Sequence, residues 1–122
     1  MEIFKEFRFE AAHDLPDAPE GHQCRRLHGH SYLVRVCVRG KIDPRTGWVC
    51  DFGDIKAVVK PLIDQLDHQY LNDIEGLSQS TAERLAQWFW RKLHGRLAGL
   101  SKIEVWETPT SGCAYSGEDE PA

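Results

Sequence analysis

The sequence predicts an α+β domain with element order ββααββ, and three observations carry that expectation. Residues 2–13 and 30–39 alternate apolar and polar side chains, the period of a strand with one wet face. Residues 52–66 and 80–93 repeat apolar side chains at helical spacing. Residues 102–107 and 113–116 then return to short alternating runs.

In the first strand Ile3, Phe7, Phe9 and Ala11 share one parity, with Lys5 the exception. Glu6, Arg8 and Glu10 fall on the other, and His13 ends the apolar face. Pro16, Pro19 and Gly21 make residues 14–23 a loop. In the second strand Tyr32, Val34, Val36 and Val38 share a face opposite Arg35 and Arg39, while Leu33 and Cys37 also lie opposite. His28 and His30 continue the Tyr-Val face, because residues two apart in an extended chain point the same way.

Residues 43–47, Asp-Pro-Arg-Thr-Gly, form a turn, and Trp48-Val49-Cys50 is expected as a short returning strand. Asp51 caps a helix in which Phe52, Ile55, Val58, Val59, Leu62, Ile63 and Leu66 recur at helical spacing, and Pro61 is expected to kink it. A loop from Asp67 to about Gly76 follows. Ser80 as N-cap and Glu83 three residues later read as a capping box for the second helix. That helix presents Leu85, Ala86, Phe89 and Leu93, flanked by Trp88 and Trp90, and Gly95 and Gly99 close it. Ile103, Val105 and Glu107 share a face of the next strand, 109–112 is a turn, and the acidic tail is expected to fray.

At 122 residues, without repeats or a linker, the chain is expected to be one domain over residues 1–122. A composition 41% hydrophobic and 28% charged is that of a globular domain rather than a disordered one. A net charge of −4 argues against nucleic acid as a partner, since phosphate binding needs a basic face. No apolar run reaches bilayer length, and Met1 leads into a strand pattern rather than a signal peptide. Cys24, Cys37, Cys50 and Cys113 lack paired spacing and read as reduced thiols, so the expected location is cytoplasmic, away from membranes. An open antiparallel sheet leaves unpaired edges, and self-association is the expected remedy, giving a homo-oligomer.

The chemistry concentrates in Cys24-Arg25-Arg26-Leu27-His28-Gly29-His30. His28 and His30 present two imidazoles on one face, and His13 brings a third from the neighbouring strand end. Three histidines are a zinc set that leaves the fourth position open, as catalytic sites do; with Cys24 as fourth ligand the site would be closed and structural. Arg25 and Arg26 flank Cys24, and neighbouring cations favour a thiolate, although a free thiol between solvated arginines has the same sequence. Cys37, Cys50 and Cys113 read as packing residues. Asp67 beside His68 can orient an imidazole for proton transfer, or simply cap the chain locally. Glu107 on an apolar parity is an acceptor in need of donors, such as adjacent N–H groups of a ligand.

Phe9-Glu10-Ala11-Ala12-His13, Cys24-x-x-x-His28-Gly29-His30, Gly47-Trp48-Val49-x-Asp51-Phe52, Leu66-Asp67-His68-x-Tyr70-Leu71-Asn72-Asp73, Ser80-Thr81-Ala82-Glu83 and Glu107-Thr108 together resemble the 6-pyruvoyltetrahydropterin synthase family. Within it they are most similar to the bacterial 6-carboxy-5,6,7,8-tetrahydropterin synthase (QueD) branch of queuosine biosynthesis. The resemblance implies zinc on His13, His28 and His30, and a catalytic cysteine at Cys24. It implies a catalytic Asp67-His68 pair supplied by a neighbouring subunit, a pterin-anchoring Glu107, and Thr81 near the ring. The implied architecture is the tunnelling fold (T-fold), whose sheets close into a barrel by oligomerisation, as a homohexamer built from trimers.

The implied reaction converts 7,8-dihydroneopterin triphosphate to 6-carboxytetrahydropterin, acetaldehyde and triphosphate, a carbon-carbon lyase activity. Arg8, Arg25 and Arg26 are candidate cations for the triphosphate. The alternatives are a pyruvoyl-forming synthase, which eliminates triphosphate without side-chain cleavage, and a non-catalytic structural zinc module. A folate-linked branch tends to carry glutamate where this chain has Cys24.

Overall fold

Strand β1 (Glu2–His13) and strand β2 (His28–Arg39) form an unbroken antiparallel pair, from Glu2 opposite Arg39 to His13 opposite His28. The structure is a computed structural model describing residues 1–121. Alternation placed the core as expected: Phe7, Phe9, Ala11, Tyr32, Val34, Val36 and Val38 are buried on one face. Phe9 stacks on its cross-strand partner Tyr32 with ring centroids 4.8 Å apart, a pairing that adds to the register's stability. Lys5 shares the buried parity, and its Nζ lies over the Phe7 ring, 5.7 Å from the centroid.

Helix α1 (Phe52–Leu66) lies against β1 and buries Ile55, Val59, Leu62, Ile63 and Leu66. Asp51 caps it, its carboxylate accepting from the Gly53 amide, and the helix continues through the exposed Pro61. Helix α2 (Ala82–Leu93) lies against strands β4 (Leu100–Thr108) and β5 (Ser111–Tyr115), with Leu85, Ala86, Phe89 and Leu93 in the core. Trp88 and Trp90 are also buried, so the apolar stripe is wider than a flanking role implies. Both helices contribute to a single core cluster on the sheet.

Four expectations are corrected. Trp48-Val49-Cys50 forms bends rather than a strand, with Trp48 half-exposed. The N-cap of α2 is Thr81, whose hydroxyl accepts from the Arg84 amide at 3.1 Å; Glu83 is thus one residue too early for a capping box. The loop after α1 contains a fifth strand, β3 (Gln69–Tyr70), parallel to β1, so the sheet is mixed and ordered β3-β1-β2-β4-β5. The acidic tail is anchored through Glu120, which accepts from Arg91 at 2.7 Å and from the Tyr115 hydroxyl at 2.5 Å.

Among the described residues, no helix covers the sheet's other face. There Arg35 pairs with Glu6 at 2.6 Å and lies over the half-exposed Phe4 ring. β3 and β5 are the two edges.

Candidate metal centre and active site

The register that stacks Phe9 on Tyr32 also carries His13 opposite His28, and places His30 opposite Ala11. Ala12 faces Gly29, where an added Cβ would lie 3.2 Å from the Ala11 carbonyl oxygen; glycine keeps this approach open. The three imidazoles gather with centroid separations of 4.5, 5.0 and 5.0 Å. One ring nitrogen from each lies within 4.8 Å of the others.

Hydrogen bonding determines which nitrogens those are. His13 Nδ1 lies 2.8 Å from the Ser80 carbonyl oxygen and His28 Nδ1 lies 2.7 Å from that of Arg26. A carbonyl only accepts, so each Nδ1 carries the proton and each neutral ring keeps its lone pair on Nε2. The two Nε2 atoms are 2.9 Å apart, a contact between lone pairs that calls for a cation. His30 Nε2 is buried without a hydrogen-bond partner, the Glu107 carboxylate being 3.9 Å away. Two outward Nδ1–H groups on carbonyls, and three inward nitrogens short of partners, fit a metal ion.

Burial supports the same state. His13 is 1% exposed, and burial is the larger influence lowering its pKa, opposed by the Ser80 carbonyl. The buried Tyr32 hydroxyl lies 3.3 Å from His13 Nδ1, on the side of the ring away from His28.

Cys24 lies in a 3-10 turn, Gln23–Arg25, whose backbone is held at both ends. His22 Nδ1 accepts from the Cys24 amide at 3.0 Å, and the Leu15 amide donates to the Cys24 carbonyl at 2.8 Å. The three histidines, Cys24, Leu15, Gln23 and Glu107 line one cavity of about 300 Å³. Glu107 reaches it from an irregularity in the β4–β5 pairing between Trp106 and Thr108, on the same parity as buried Ile103 and Val105.

The Asp67-His68 pair is elsewhere. Asp67 accepts from the Glu10 amide at 2.9 Å and lies 3.1 Å from His68 Nδ1. The Glu10 amide is the main influence holding the Asp67 carboxyl below its ordinary value, with His68 adding to it. His68 has a left-handed backbone, φ 60°, and is largely exposed on a second cavity of about 510 Å³ bordered by Glu10, Gly29, His30 and Tyr70. Thr81 spends its hydroxyl on the α2 cap and lines a separate hollow with Leu15, Pro16 and Gln79. Thus one chain brings together five of the expected residues, His13, His28, His30, Cys24 and Glu107, and leaves Asp67, His68 and Thr81 outside their cavity.

Sequence reasoning missed the Ser80 and Arg26 carbonyls, because a backbone acceptor has no side-chain signature. It also missed Tyr32, whose hydroxyl is within an otherwise apolar strand face, and Asn72, one polar residue among several in a loop, whose amide bonds Asp14 and Ser80. Among the described residues, no helix is long and apolar enough to cross a membrane.

The chain is similar over most of its length to proteins already known. The chain is 48% identical over 119 residues to the 6-carboxy-5,6,7,8-tetrahydropterin synthase of Synechocystis sp., covering 93% of this chain and 91% of that protein. The protein of the same name from Haemophilus influenzae is 34% identical over 140 residues, covering 94% and 98%. The structure of Caenorhabditis elegans 6-pyruvoyl tetrahydropterin synthase superposes with a TM-score of 0.87 at 28% identity, over 97% of this chain and 96% of that one. The family model described as 6-pyruvoyl tetrahydropterin synthase matches residues 2–118, and with the histidine cluster formed by strands of that fold, the chain belongs to the 6-pyruvoyl tetrahydropterin synthase family.

Proposed function

We propose that this protein is a zinc-dependent 6-carboxy-5,6,7,8-tetrahydropterin synthase. It converts 7,8-dihydroneopterin triphosphate to 6-carboxytetrahydropterin, acetaldehyde and triphosphate in queuosine biosynthesis, in the cytoplasm. The observation that carries this reading is the single cavity in which Cys24 and Glu107 face three converging imidazoles. The 48% identity to the Synechocystis protein supports the carboxy-forming branch.

His13, His28 and His30 hold the metal, an all-imidazole set suited to zinc. Bound zinc supplies Lewis acidity toward the hydroxyls of the substrate side chain. Glu107 accepts from the pyrimidine N–H and amino groups and so fixes the ring with its side chain over the histidines. Thr81 lies near the ring, in the hollow that shares Leu15 with the Cys24 cavity. Cys24 moves a proton as the thiolate, and the Asp67-His68 pair of a neighbouring subunit relays it. That pair's distance from the Cys24 cavity within one chain supports a site shared between subunits. The assembly is a homohexamer in which the helix-free face turns inward and the sheet edges pair with those of other copies.

The second reading, a pyruvoyl-forming synthase, is favoured by the Caenorhabditis elegans fold match. Incubation with dihydroneopterin triphosphate decides: acetaldehyde release, abolished by chelator, supports the carboxy-forming enzyme, and a retained three-carbon side chain refutes it. Cys24→Ala is expected to keep its zinc while turnover falls about 100-fold or more. Loss of zinc with unfolding would instead make Cys24 a structural ligand.

A further inference from the structure

We propose that Asn72 is a positioning residue for the metal centre: it sets the direction of His13 Nε2 by locking together the two backbone segments that hold the His13 ring. The inference rests on the metal-site reading above.

β3 pairs with β1 only through Ala11 opposite Gln69 and Ala12 opposite Tyr70. The chain then turns into a 3-10 turn, Leu71–Asp73, and its backbone can no longer serve as a ladder partner. The Asn72 side chain takes over at that point. Its Oδ1 accepts from the Asp14 amide at 3.2 Å and its Nδ2 donates to the Asp14 carbonyl at 2.8 Å. A primary amide offers the same donor and acceptor as a peptide group, so Asn72 adds one more rung immediately after His13.

The same amide grips the other segment. Oδ1 also accepts from Ser80 Oγ at 2.8 Å, and Nδ2 donates to the Ser78 carbonyl at 3.3 Å. Ser80 is fully buried, and its carbonyl oxygen receives the His13 Nδ1 proton. One side chain therefore fixes both the backbone from which the His13 ring projects and the acceptor that orients it. The acceptor defines the tautomer and rotation of a ligating imidazole, so slack here reaches Nε2 directly. No apolar side chain could replace Asn72, because four hydrogen bonds converge on it, and aspartate would set a carboxylate against two carbonyls.

The test uses the full-length protein, stripped of metal and titrated with zinc against a chromophoric chelator, well below each variant's melting temperature. Asn72→Ala is expected to raise the zinc dissociation constant about tenfold or more. Its cobalt-loaded form should show altered visible bands, a readout that a merely structural role would not move. Ser80→Ala keeps the carbonyl and removes only the hydroxyl donated to Asn72, so it should weaken zinc binding less, in the same direction. Wild-type zinc affinity in folded Asn72→Ala, or in Ser80→Ala where Asn72→Ala does not fold, overturns the inference. Wild-type protein that binds no zinc refutes the metal-site reading itself and takes the inference with it. One zinc per wild-type chain with an unchanged variant refutes the positioning role alone.

Discussion

His13 and His28 point their Nε2 atoms at each other across 2.9 Å, while the Nδ1 of each is tied to a backbone carbonyl, that of Ser80 and that of Arg26. The pair is directly opposite in the β1–β2 ladder, so a one-residue slip of either strand would put the two rings on opposite faces. The buried Phe9–Tyr32 stack, four residues from either histidine, opposes that slip. Core packing and the histidine cluster are thus set by one register.

A bound ion should stabilise the fold, because it binds the folded chain alone. At free zinc about 100-fold above the dissociation constant, the contribution is ~2.7 kcal/mol. Chelator should therefore lower the melting temperature of the wild-type protein measurably. His28→Ala, lacking one of three nitrogens, should bind zinc weakly and show little response to chelator. Equal melting temperatures of the wild type with and without chelator would argue against a resident metal.

Cys24 and His68 border different cavities of one chain, so a shared active site makes complementation possible. Cys24→Ala and His68→Ala are each expected to lose turnover by about 100-fold or more as homo-oligomers. Unfolded together and co-refolded, they form mixed oligomers in which some sites receive an intact Cys24 from one subunit and an intact His68 from another. Acetaldehyde formation should return to a fraction of the wild-type rate. If mixing restores nothing while subunit exchange is confirmed by mass, the two residues act within one chain.

Thr81, not Ser80, caps α2, and the two assignments differ in what a single hydroxyl does for stability. Thr81→Ala should cost about 1 kcal/mol, the usual loss for a removed N-cap acceptor. Thr81→Ser keeps the oxygen that accepts from the Arg84 amide and should remain near wild type. Urea midpoints at one fixed protein concentration measure both, because unfolding of an oligomer depends on concentration.

The Asp67 carboxyl is held below its ordinary value by the Glu10 amide first and by His68 second. Folding therefore favours its ionised form. Its contribution to stability is complete above the unfolded-state carboxylate range and is lost as pH falls through the lowered folded value. The stability difference between wild type and Asp67→Asn should be level near neutrality and shrink only in the acid range. Urea midpoints collected over a pH series test this; a difference that stays constant into strong acid would show that the charge plays no part.

The main strands were legible because alternation is a local property with a period of two. Phe7, Phe9 and Ala11 in β1, and Tyr32, Val34 and Val36 in β2, declare their buried parity without reference to any partner. Extending that parity puts His13, His28 and His30 on the inner face at one end, which is where they lie. Glu107 was legible for the same reason, two residues beyond Val105. β3 was not, since two paired residues have no periodicity to display. The α2 cap slipped by one because Ser80 and Thr81 are both good caps, and the choice fell to Asn72, which draws the Ser80 hydroxyl inward at 2.8 Å. The tail was misread because Glu120 is held by Arg91 and the Tyr115 hydroxyl, contacts that an acidic run does not reveal.

By itself, then, the sequence determined which residues face inward and which end of the sheet carries the chemistry, because side-chain direction follows from backbone period. Only the tertiary structure decided which ring nitrogens are free, which carbonyls hold the others, and that His68 stands apart from Cys24. Those depend on partners distant along the chain, such as Ser80 for His13, where a hydrogen bond forms only after the core has brought both ends together.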